Sequence, residues 1–110
     1  MLGTESRQRP RAAEREIKMT TSVIVAVAGG FYFYGREITA PDGYIGITDA
    51  SMFGGFSGGK GLPGIARGDA AAKVTLDRFA AGEEVFFPTT SVMAIMPSID
   101  LYTFAGTTVR

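Results

Sequence analysis

Histidine, cysteine and tryptophan are all absent from this 110-residue chain. Without histidine the commonest general base is missing, and without cysteine so are the thiol nucleophile, the soft metal ligand and any disulfide scaffold. Charge of one sign is lacking too: 11 basic and 11 acidic residues cancel. That balance argues against a partner held by many phosphate contacts, so nucleic acid is not expected among the partners. No apolar run approaches the ~20 residues of a membrane-spanning helix, so no membrane partner is expected. The stretch Val23–Ala28 with its basic upstream flank has the outline of a secretion signal. It is too short, and acidic residues interrupt its flank, so secretion is not expected.

Carboxylates offer no constellation either. Glu83 and Glu84 are adjacent, and neighbours on a strand point to opposite sides, so they cannot flank one bond. Asp42, Asp49, Asp69 and Asp100 fit no calcium-loop spacing. Gly54-Gly55-Phe56-Ser57-Gly58-Gly59-Lys60-Gly61 approaches a phosphate-binding loop but has glycine where the magnesium-binding hydroxyl belongs. Ser57 and Lys60 spell the serine–lysine spacing of acyl transferases, without the helix or partner motifs that chemistry requires. Arg67-Gly68-Asp69 reads as a polar turn. These absences predict a non-enzymatic chain with no catalytic residue, cofactor, metal or small-molecule substrate.

What is present is a series of short β-type runs. Residues 1–18 stand apart, with five basic and three acidic residues and few apolar ones, and read as a charged N-terminal arm that cannot fold alone. Met19 is a candidate natural start, and residues 19–110 form one domain, the usual reading at this length. Ser22–Ala28 is apolar on both alternating faces and predicts a strand buried on both sides. Gly29-Gly30 supplies a turn. Phe31-Tyr32-Phe33-Tyr34 then puts phenylalanines on one face and tyrosines on a wetter one. Short strands follow near Glu37–Thr39, Tyr44–Thr48, Lys73–Phe79, Val85–Phe87, Ser91–Met96, Ile99–Phe104 and Thr107–Val109, with Pro41-Asp42-Gly43 as a turn between two of them. The class is all-β, a small sandwich or barrel of six to eight short strands, with no convincing helix.

Residues 49–71 differ. Seven glycines and Pro63 break every period, predicting a long Gly-rich loop of the kind that is usually functional. Yet it carries Met52, Phe53, Phe56, Leu62 and Ile65, which a solvated loop would not hold. Either they fold back on the core or they anchor on another chain. Together with Tyr32 and Tyr34 they are the candidate partner-binding residues.

The Arg78-Phe79-Ala80-Ala81-Gly82-Glu83-Glu84-Val85-Phe86-Phe87-Pro88 segment, the Phe31–Thr39 region, the thin charged arm and the Gly-punctuated strands resemble small accessory virion proteins of tailed bacteriophages. The resemblance implies a structural role in symmetric copies: a capsid decoration or cement protein, or a tail component, located in the virion. Its partners would be copies of itself and a larger capsid or tail assembly. Outside a virion the expected location is the cytoplasm. The alternative is a small β-barrel or sandwich module binding a ligand or peptide on the Tyr32/Tyr34 face.

Overall fold

The computed structural model describes residues 21–110, so the arm at 1–18 and the candidate start at Met19 lie outside the described residues. Seven strands form one sheet: β1 (Ser22–Val27), β2 (Phe31–Ile38), β3 (Tyr44–Ser57), β4 (Lys73–Arg78), β5 (Glu84–Pro88), β6 (Val92–Ser98) and β7 (Thr107–Val109). The order is β6-β1-β2-β3-β4-β7, with β5 on β3. Every pairing is antiparallel except β4 with β7. The all-β class therefore holds. One short helix, α1 (Leu62–Arg67), and a 3-10 turn at Thr89–Ser91 complete the elements among the described residues.

The 14-residue β3 organises the sheet by serving two neighbours on one edge. Its first part, Tyr44–Thr48, pairs with β5, and its last part, Ser51–Ser57, pairs with β4. Between them Asp49 takes a positive φ of 54°, a left-handed conformation that aspartate tolerates better than most residues. Across from it the β2–β3 register shifts between Tyr34 and Arg36. The sheet turns there, and two cores form on its two sides. Val23, Val25, Ile47, Ala50 and Phe87 fill one. Ile24, Tyr34, Ile65, Ala66, Ala72, Val74, Leu76 and Leu101 fill the other. Since β1 gives Val23 and Val25 to the first and Ile24 to the second, it is buried on both faces, as its sequence predicts.

Three sequence expectations are corrected. Residues 49–71 are not a structureless loop: they hold most of β3, a glycine turn and α1. Glycine weakens a strand without forbidding it, and the ladder with β4, which pairs Gly55 with Thr75, compensates. Pro63 fits because the first helical turn needs no N–H from it. Second, Ile99–Phe104 is not a strand. The Asp100 carboxylate accepts the Tyr102 N–H at 2.9 Å, a local turn that competes with extended structure, while Leu101 plugs the second core. Third, the strand expected near Ser91–Met96 does not stop before Pro97 but runs to Ser98 with Pro97 opposite Val23, which is possible because β6 is an edge strand.

Candidate interaction surface

Alternation along β2 sends Tyr32 and Tyr34 to the same face, as expected, but that face is not uniformly wet. Tyr34 is fully buried. Its hydroxyl donates to Ser22 Oγ at 3.0 Å and lies 3.3 Å from Asp100 Oδ1, and it accepts the Leu101 N–H at 2.9 Å. The Tyr34 and Tyr102 rings meet edge to face at 5.1 Å. Burial holds the Tyr34 hydroxyl above its usual pKa, with the Asp100 carboxylate adding to the shift. Burial likewise raises Tyr102, which donates to the Asp49 carbonyl at 2.6 Å and lies 2.7 Å from Ser51 Oγ. Arg78 spans this corner, its guanidinium 4.3 Å from the Tyr102 ring centroid and its Nη2 on the Asp49 carboxylate. That ion pair raises the Arg78 pKa. The whole set ties the segment after β6 down over the sheet. Tyr34 is therefore a structural residue and no part of a ligand-facing surface.

Tyr32 lies beyond the reach of that cover. Its ring meets Phe53 at 6.1 Å and Phe56 at 5.8 Å, and Phe53 meets Phe56 at 5.8 Å, all edge to face. Strict alternation would put residues 53 and 56 on opposite faces. A bulge between Phe53 and Gly55 inserts one extra residue, Gly54, and returns Phe56 to the side of Phe53. The result is a half-open aromatic triad, with Phe56 38% exposed.

The remaining candidates divide. Ile65 is fully buried and Leu62 packs against the same core, because α1 lies along the sheet face, so these two fold back. Met52 is half-buried on β3 opposite Phe33. The candidate residues thus give one surface cluster, Tyr32 with Phe53 and Phe56. The Arg67-Gly68-Asp69 turn closes on itself, with Arg67 and Asp69 paired at 2.8 Å.

A second surface was not singled out from the sequence. Strand β6 pairs with β1 along one edge and with no other strand among the described residues. Its sequence, Val92-Met93-Ala94-Ile95-Met96-Pro97-Ser98, contains no charge. Met93 is 73% and Ile95 40% exposed, and Phe31 is exposed at the start of β2, level with Val27 and Val92. Met93 falls where the β1–β6 register shifts. The legible signal was the combination of apolar residues, missing charge and a proline, which together describe an edge. Among the described residues no group of three or more His, Cys, Asp or Glu could hold a metal ion. None of the helices there is long and apolar enough to cross a membrane.

No family model matches the chain and no curated protein matches it. Among solved structures it is similar to the Sm protein of Pyrococcus abyssii in complex with a uridine heptamer. The identity is 19% over 79% of this chain and 96% of that one, with a TM-score of 0.46. The expectation that nucleic acid is excluded as a partner is corrected on its own physical ground. Zero net charge was the ground for that exclusion, but bases also bind by stacking on aromatic rings, to which whole-chain charge is blind.

Proposed function

We propose that this chain is a non-enzymatic assembly subunit that joins a second copy of itself by pairing along β6. The observation that carries this reading is the bare edge: seven residues without a charge, with Met93, Ala94 and Ile95 exposed in succession. Edge strands of monomeric proteins are blunted by lysines or inward charges, because unpaired N–H and C=O groups template another chain. Here only Pro97 interrupts the edge. Two copies related by a twofold axis would extend one sheet into the other and cover Met93 and Ile95. The likeness of the Arg78–Pro88 segment to accessory virion proteins favours a capsid decoration or cement role for the resulting oligomer.

Light scattering on a size-exclusion column tests this directly. The wild-type chain should run at a multiple of its 11.6 kDa mass, and Met93→Lys with Ile95→Lys should run as a monomer with an unchanged melting point. A wild-type monomer at micromolar concentration would end the reading.

A second reading has its own observation, the Tyr32–Phe53–Phe56 triad. As a binding module, the chain would hold an apolar or aromatic group of a ligand or peptide against those rings. Phe53→Ala with Phe56→Ala would then abolish binding and leave the oligomer intact.

A further inference from the structure

Strands β3, β4 and β7 border an open hollow of about 190 Å³, whose apolar lining is Phe56 and Val74. Its polar lining is Ser57, Lys73, Thr75 and Thr108. The register explains their convergence: Ser57 lies opposite Lys73, and Thr75 lies between Gly55 on one side and Thr108 on the other. Because Val74 and Leu76 turn into the core, alternation sends Lys73 and Thr75 to the other side. Gly55 keeps the floor open, since nothing lies within 4 Å of where its Cβ would stand.

The donor set is one-sided. Ser57, Thr75, Thr108 and Lys73 line the hollow, and none of them makes a side-chain hydrogen bond or ion pair among the described residues. Among the described residues no carboxylate lines it. The next acid along β4, Asp77, is occupied by Arg110, whose Nε and Nη2 lie 2.9 and 3.2 Å from its two oxygens. That clamp offsets the negative charge of Asp77. A hollow with one cation, three hydroxyls able to donate and, among the described residues, no carboxylate matches a tetrahedral oxyanion, which accepts on every corner.

We propose that this hollow is a phosphate-binding site, with Lys73 supplying the charge and Ser57, Thr75 and Thr108 the orienting hydroxyls. The phosphoryl group is either the free anion or the terminal group of a small phosphate ester. Amide chemical shifts of the full chain, titrated with inorganic phosphate and separately with methyl phosphate at constant ionic strength, test it. Saturable shifts at Gly55, Ser57, Thr75 and Thr108 are expected. Equal affinity for the two probes identifies the free anion, and tighter binding of the ester identifies an esterified ligand; both support the site.

Lys73 is exposed, so Lys73→Gln should fold normally and weaken binding by about tenfold or more, while Lys73→Arg retains most of it. Gly55→Val, placed where the structure has room, should fill the hollow and abolish the shifts. Shifts that fail to saturate with either probe would overturn the proposal, as would saturable shifts that persist unchanged in both Lys73→Gln and Gly55→Val.

Discussion

Tyr34 and Tyr32 stand two residues apart on one strand and on one face, yet they belong to different kinds of surface. Around Tyr34 the segment at residues 99–104 comes down, Leu101 fills the space beside it, and its hydroxyl gains three partners. Tyr32 is only half-buried, and its ring leans on Phe53 and Phe56 instead. Strand alternation decides which side a residue faces, but what covers that side is decided by chain far away in sequence. One end of this sheet face is therefore core, and the other end is available.

The sharpest way to break the comparison is to attack the covered end from beneath. Ile24→Asp and Val25→Asp each place a carboxylate at a fully buried position, one in each core. With no partner for the charge, the penalty of several kcal/mol exceeds what a domain this small can absorb. Neither variant should give soluble folded protein, which expression and circular dichroism would check.

Next in size is the tyrosine contrast itself. Tyr34→Phe removes one hydroxyl and leaves the buried Leu101 N–H unpaired, a loss of about 1–3 kcal/mol. Tyr32→Phe should change almost nothing. Thermal melts of the two variants should therefore separate clearly, and equal melting points would show that the two ends are alike.

Alkaline pH probes the same boundary without mutation. Burial raises the pKa of Tyr34 and Tyr102 above the ordinary value of 10.0, so the folded state keeps their protons longer than the unfolded state does. Stability from these hydroxyls is then fully present below about pH 10 and is lost as pH rises through the folded values. Melting points should fall above pH 10. Tyr102→Phe, less stable at neutral pH, should show a shallower fall.

The smallest effect belongs to the open end. Phe56→Ala removes a ring that is more than a third exposed, and its effect on stability should be about 1 kcal/mol or less, below the usual range for a buried phenylalanine. A loss as large as that of Tyr34→Phe would place the triad in the core and remove the binding-module reading.

Much of the fold was legible because it rests on local pattern. The two apolar faces of Ser22–Ala28, the glycine turn after it and the Lys73–Phe79 alternation each state their own structure. Residues 49–71 were not legible as strand and helix, because glycine carries no face. Strand β3 continues through Phe53-Gly54-Gly55-Phe56 owing to β4 alongside, which no local window contains. Tyr34 was misplaced for the same reason, its partners Asp100 and Leu101 lying some 66 residues on. Within the surface, the phenylalanines of the triad could be named from their apolar character in a glycine-rich run. Their meeting required a bulge that only pairing reveals. The bare edge of β6 was readable in composition, but its exposure follows from sheet order.

The pairing of β1 with β6 also bears on how fast this chain reaches its native state. Ser22 meets Ser98 and Val27 meets Val92, so the first strand is completed by one of the last. The hairpin of β1 and β2 closes over three residues and can form within microseconds. Its outer edge, with Val23, Val25 and the ladder groups beside them, then waits until β3, β4 and β5 are in place. Chains dominated by such distant pairings fold in milliseconds to seconds. During that interval two apolar edges, β1 and β6, are open at once, and each is a match for the other in a neighbouring molecule. Dilute, slow refolding should give the single chain first, and concentrated refolding should give molecules that have exchanged β6.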